Sequence, residues 1–138
     1  MNDLENIQRL TERFKRQMPD GEVYQRRLAE EFELILKQRF TEYFFKICDI
    51  IDLTQDVKHM TRGSAGSSLV CYLLGITDVD PVKWNIPVAR FLNPLRDDVP
   101  DVDIDFEHWR QKDIMERIFK KWPGKTCLLY TSDAADEE

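Results

Sequence analysis

The sequence predicts a mixed α and β fold, α/β or α+β in class, with helices filling the first half and a small sheet after it. Three observations carry that expectation. Apolar residues recur every three or four positions from Leu4 to Leu53, small residues cluster from Gly63 to Ser68, and acidic and apolar residues alternate from Asp101 to Phe106. The first pattern is helical, the second is a close-approach loop, and the third is a half-buried strand.

Ile7, Leu10, Phe14 and Met18 predict a first helix over Leu4 to Met18, capped by Asn2 or Asp3 and stopped at Pro19-Asp20-Gly21. Tyr24, Leu28, Phe32, Leu36 and Phe40, widened by Ile35, predict a second over Glu22 to Arg39; Leu34 lies off that stripe and hints at burial on another side. Thr41 is an N-cap candidate for a third helix running to Leu53. Its Tyr43-to-Ile51 stretch is apolar nearly all round, so it should be buried on more than one side, and its aromatic run reads as core. Val57 to Met60 reads as a short strand entering the loop Thr61 to Ser68, and Leu69 to Leu74 as a helix closed by Gly75. After a turn at Asp78 to Pro81 and the Arg90-to-Pro94 loop comes the alternating strand, then a helix from Arg110 to Lys121 that Pro123-Gly124 ends.

Two places carry chemistry. On the strand, Val102, Ile104 and Phe106 face one way and Asp101, Asp103 and Asp105 the other. Successive acids on one face are roughly 6–7 Å apart at Cα, close enough for their carboxylates to share two divalent cations about 3.5–4 Å apart. Mg²⁺ suits such a site, with Mn²⁺ possible, because it takes few protein oxygens and keeps room for phosphates and water. A solvated acidic edge strand is the plainer alternative. In the loop, Gly63 lets backbone approach a ligand, Ser64, Ser67 and Ser68 offer hydroxyls, and Arg62 offers a cation for phosphate. It is not a Walker A loop, because the lysine is missing, and a turn that merely caps the next helix is its plainer alternative. Arg90 and Arg96 are candidate phosphate or DNA contacts, with salt bridges as the competing role. His59 and His108 have no partner at metal-ligand spacing.

Bulk properties bound these readings. At 138 residues and 42% hydrophobic, the chain can bury one small core but not two ordinary domains. A net charge of -6 excludes a basic DNA-coating protein, though not a metal-dependent one, whose acids are offset by cations. The last six residues, Asp133 to Glu138, hold four acids and no base. Three cysteines without CxxC spacing, no span-length apolar stretch and no signal-peptide pattern predict a reduced, cytoplasmic chain without membrane partners.

Arg62-Gly63-Ser64-Ala65, Leu69-Val70-Cys71-Tyr72, Gly75 to Pro81, Arg90-Phe91-Leu92-Asn93-Pro94 and Pro100 to Phe106 follow one another as they do in the palms of bacterial C-family DNA polymerases. The chain resembles that family, the DNA polymerase III alpha-subunit type, over about residues 22 to 122. The resemblance implies a polymerase-β-like nucleotidyltransferase palm, here partial. It also implies a DNA-directed DNA polymerase working on primer-template and dNTP beside other replisome subunits, by attack of a primer 3′-hydroxyl on the α-phosphate with release of pyrophosphate. Gly63 and Ser64 look like the pair that contacts the triphosphate. Asp101 and Asp103 look like two of three catalytic metal-binding aspartates, with Asp105 in a supporting place. The sequence departs from the family at Thr61 and Ser67, where glycine is usual, and in the acidic pair Asp97-Asp98.

Three parts are therefore expected: a helix over 1–21 at a fragment edge, a partial palm over 22–122, and a tail over 123–138. The tail does not match the family, looks like translated adapter read-through, and is expected to be disordered. The third aspartate, thumb and fingers are expected beyond residue 122 and a phosphoesterase-like domain upstream, so the chain alone is expected to lack polymerase activity. Two rival readings stay open: another nucleotidyltransferase of the same fold, which should lack the Arg90-to-Pro94 segment, and a non-enzymatic, cation-binding helical interaction module.

Overall fold

In a computed structural model of the protein, residues 2–95 and 99–124 are described. They are mixed α and β, as the periodicities predict, and they divide into two units at Glu107/His108. Arg96, the Asp97-Asp98 pair and the tail from residue 125 onward lie outside the described residues.

The first unit runs α1 (Asp3–Glu12), α2 (Glu22–Lys37), α3 (Thr41–Leu53), β1 (His59–Arg62), a 3₁₀ turn (Gly63–Ser67), α4 (Leu69–Leu73), a second 3₁₀ turn (Val88–Arg90) and β2 (Asp103–Phe106). α1 packs on α3 and α2 on α4. Asn2 caps α1, accepting from the Glu5 N–H at 2.8 Å. The helix stops at Glu12, well before Met18, because the amides of Lys15 and Arg16 turn away to donate to the Leu73 carbonyl at 2.7 and 3.1 Å. A helix C-terminus leaves carbonyls unpaired, and a segment distant in sequence completes that of α4. Gly75, at φ +80°, closes the same end, and a Cβ there would sit 3.0 Å from the Lys15 side chain.

α3 is buried on more than one side, as its composition predicts. Phe44, Phe45, Ile47, Cys48 and Ile51 all join the core, and the Arg9 guanidinium lies over the Phe45 ring, 4.2 Å from its centroid. Its N-cap is Phe40, not Thr41; Thr41 is the first helical residue and is buried. Arg13 bridges to Asp49 and Asp52 at 3.0 and 2.9 Å, and Lys15 to Asp52 at 2.7 Å, tying the residues after α1 to α3. All four side chains are partly solvated, so these pairs fix orientation more than they add stability.

β1 and β2 form one antiparallel pair with Arg62 opposite Asp103 and His59 opposite Phe106. β1 begins two residues later than Val57, because its limits follow from what β2 can pair with and not from its own apolar content. Val102 and Ile104 pack against the helical core, while Asp101, Asp103 and Asp105 are exposed. The strict alternation in the sequence is thus the alternation of faces.

Cys48 and Cys71 are buried within this core, and burial pushes both thiols up, that of Cys48 to about 11. Neither is expected to react with iodoacetamide at pH 8 until the chain unfolds. Peptide mass spectrometry checks this, and labelling of either cysteine in the folded chain would contradict the packing.

The second unit, as far as it is described, is a 3₁₀ turn (His108–Arg110) leading into α5 (Gln111–Lys121). Asp113 accepts from Arg110 at 2.8 Å and Arg117 at 2.9 Å, and these hydrogen bonds hold its carboxyl below the usual range. Among the described residues no helix is long and apolar enough to cross a membrane.

Candidate active site

The β1–β2 ladder brings the two sequence motifs together. Arg62 ends β1 and Asp103 opens β2 directly opposite. The Arg62 side chain, however, reaches Asp105, with Nε 2.5 Å from Oδ2 and Nη2 donating to Oδ1 at 3.3 Å. Two candidate ligand-binding groups therefore hold each other. The pair is half exposed, so the interaction is worth roughly 0–1 kcal/mol and an approaching anion or cation could compete for either partner.

Gly63 follows at φ +85°, and a Cβ built on it would lie 3.5 Å from Asp103 Oδ2. The missing side chain lets backbone run beside that carboxylate. Gly63→Ala is expected to cost about 1–2 kcal/mol, mostly from the left-handed backbone. Urea unfolding would measure it, and an unchanged midpoint would contradict the strained geometry.

The 3₁₀ turn then delivers Ser64 to a cavity of about 80 Å³ that Arg90, Asn93, Pro100 and Asp101 also line, with Gln38, Phe40 and Phe91. Ligand sites for whole small molecules usually run ~300–1,000 Å³. This hollow suits a group the size of a phosphate. Ser64, Arg90 and Asp101 bring a hydroxyl, a guanidinium and a carboxylate to its lining, groups that can grip a phosphate together with a cation.

Ser67 and Ser68 sit elsewhere. Both are buried: the Ser67 hydroxyl donates to the Ser64 carbonyl at 2.6 Å, and Ser68 Oγ accepts from the Cys71 N–H at 3.1 Å as the N-cap of α4. Their hydroxyls brace the turn from behind. A serine immediately before an apolar helical run is itself a capping signal.

Sequence reasoning missed the group that anchors this brace. Glu31 of α2 is 0% exposed, and its carboxylate accepts from Ser68 Oγ (2.8 Å), the Leu69 and Val70 amides (2.7 and 3.0 Å) and Arg27 Nε (2.9 Å). Arg27 Nη2 donates on to the carbonyls of Ser67 and Ile86, each at 2.7 Å. Burial pushes the Glu31 carboxyl up, while the two amides, Ser68 and Arg27 pull it back. The spacing of Arg27 and Glu31 was visible, but it is the same spacing as the exposed pair Glu22–Arg26.

Tyr43 was also missed. Its hydroxyl donates to the Pro100 carbonyl. Burial, then the negative charge of Asp101, push the phenol up to about 12, with the Val102 backbone amide pulling the other way. Its residue type and its place in an aromatic run gave no hint of this.

No three His, Cys, Asp or Glu side chains converge among the described residues. With Asp105 engaged by Arg62, Asp101 and Asp103 are the acids left facing the Gly63–Ser64 turn. Arg96 lies outside the described residues.

The family model for the bacterial DNA polymerase III alpha NTPase domain matches residues 4–132 of this chain. The chain belongs to that family. The match takes in α1 and runs past residue 122, so it is wider than the stretch over which the motifs alone are recognisable. An error-prone DNA polymerase of Cutibacterium acnes is 41% identical over 105 residues, covering 75% of this chain and 9% of its own length. One of Pseudomonas syringae pv. tomato is 38% identical over 128 residues, covering 88% and 12%. The DNA polymerase III subunit alpha of Staphylococcus aureus is 41% identical over 104 residues, covering 73% and 10%. The resemblance drawn from the Gly-Ser turn, the Arg90-to-Pro94 segment and the acidic strand is borne out at the level of the family, whose members named here are DNA polymerases. The chain spans about a tenth of the length of these relatives.

Proposed function

We propose that this chain is the part of a polymerase III alpha palm that holds the phosphates of an incoming dNTP and the divalent metal ions for nucleotidyl transfer. The rest of the polymerase-β-like palm and the primer-template grip would lie in the longer protein. The observation that carries the reading is the convergence of Ser64, Arg90 and Asp101 on one small cavity, with Asp103 against Gly63.

Each residue then has a task. Gly63 keeps side-chain bulk away from the phosphates and from Asp103. Ser64 donates its hydroxyl to a phosphate oxygen, and Arg90 supplies a charge-assisted hydrogen bond. Asp101 and Asp103 hold hard cations through oxygen, the donor type that Mg²⁺ and Mn²⁺ prefer. When bound, such ions neutralise charge on the attacking and leaving oxygens of an in-line displacement. Arg62 and Asp105, paired with each other, set the local charge balance, and Arg62 can turn to phosphate if that pair opens. Ser67 and Ser68 keep the turn in shape.

Calorimetric titration of the chain with dATP in the presence of Mg²⁺ tests this. Arg90→Ala and the double change Asp101→Asn, Asp103→Asn are each expected to weaken binding at least tenfold, about 1.4 kcal/mol. Nucleotide binding that neither change alters would reject the reading. Cation binding lost in the double variant with nucleotide binding intact would favour a cation-binding interaction module.

A further inference from the structure

β2 begins at Asp103, so Asp101 stands before the ladder, on a stretch that strand pairing does not fix. The residue before it, Pro100, has no N–H to give to any ladder. Yet Asp101 must keep a set distance from Asp103 if the two carboxylates are to reach one cation. Something outside the sheet has to hold this stretch, and α3 reaches it. Tyr43 donates its hydroxyl to the Pro100 carbonyl. The hydroxyl therefore meets the backbone immediately before Asp101. The ring is itself held, 6.1 Å from Phe44 in an edge-on contact and 6.4 Å from Phe40. Phe44 is fully buried in the core. The chain of contacts runs from the core, through a rigid aromatic side chain, to the backbone that carries an acid.

We infer that Tyr43 is a positioning residue, which fixes the backbone around Asp101 so that Asp101 and Asp103 bind one divalent cation together. The inference rests on the reading of those two aspartates as a cation site. Tyr43 need touch neither cation nor substrate. Groups that orient metal ligands from behind typically matter about 10–100-fold in metal affinity, and a single hydroxyl should fall at the low end.

The test is Mn²⁺ binding to the full 138-residue chain, followed by water-proton relaxation. Tyr43→Phe keeps the ring and its contacts with Phe40 and Phe44 and removes only the hydroxyl. Tyr24→Phe is the matched control, since it removes a hydroxyl that donates to Asp80 at 2.6 Å, away from the strand. The expected result is Mn²⁺ affinity about tenfold weaker in Tyr43→Phe, unchanged in Tyr24→Phe, and abolished in the Asp101→Asn, Asp103→Asn pair. Affinity unchanged in Tyr43→Phe, with the double variant still silent, would overturn the role of Tyr43 and leave the cation site standing. Equal weakening by both tyrosine changes would also overturn it, because general loosening would then suffice. No Mn²⁺ binding by the parent chain, or binding untouched by the double change, would overturn the cation site and the Tyr43 role with it.

Discussion

Glu31→Ala is expected to lower the unfolding free energy of the chain by about 3–5 kcal/mol, the usual cost of removing one partner from a buried ion pair. That is a large share of the ~5–15 kcal/mol typical of a folded domain. The reason lies in what stays behind. Arg27, 13% exposed, would keep its charge without a counter-charge, and the Leu69 and Val70 amides and the Ser68 hydroxyl would lose their acceptor together. Glu31→Gln should be damaging too, because its amide nitrogen would turn a donor toward groups that are themselves donors. Arg26→Ala, which removes the exposed i,i+4 pair with Glu22, should change stability by no more than ~0.5 kcal/mol. Urea unfolding of the three variants separates these outcomes. A loss below ~1 kcal/mol for Glu31→Ala would mean that the buried carboxylate is not what holds the start of α4.

The network around Glu31 bears on the site because of where it ends. Arg27 and Glu31 grip the chain at Ser67, Ser68, Leu69 and Val70, beginning three residues after Ser64. The turn is therefore anchored on its far side by a satisfied buried charge. Ser64 is left to face the cavity, while Ser67 and Ser68 face inward. Three serines that look equivalent in the sequence are sorted by what lies behind them, and what lies behind them is on α2.

What was legible in the sequence follows the same division between local and distant causes. The alternation from Asp101 to Phe106 could be read correctly because a strand's two faces are set by its own period, whatever it pairs with. The two-sided burial of α3 could be read because Tyr43 to Ile51 leaves only a narrow strip, Lys46 and Asp49, for water. Glu31 could not, since it sits in the run Glu30-Glu31-Phe32-Glu33, where an acidic helix face is the ordinary outcome. The early end of α1 was hidden for a related reason: Phe14 and Met18 continue the helical spacing, but the Leu73 carbonyl takes the amides of Lys15 and Arg16. The partnership of Arg62 with Asp105 was equally out of reach, because it depends on the register between two strands far apart in the chain.

That partnership is expected to rank the aspartates of the acidic strand, with Asp105 last, as the family resemblance also implies. In a full-length polymerase carrying this segment, Asp103→Asn is expected to reduce primer extension by about 10³-fold or more, as the loss of ~4 kcal/mol of metal-borne charge stabilisation would do. Asp101→Asn should act similarly, since Asp101 lines the same cavity as Ser64 and Arg90. Asp105→Asn should cost less than about tenfold: its carboxylate already faces Arg62, and the exposed pair it breaks is worth at most ~1 kcal/mol. Primer-extension rates at saturating dNTP and Mg²⁺ would rank the three. Equal losses at Asp103 and Asp105 would mean that the Arg62 pair opens in the working enzyme and that all three acids serve the metals. A small loss at Asp103 alone would remove it from the site, leaving its position beside Gly63 a matter of packing.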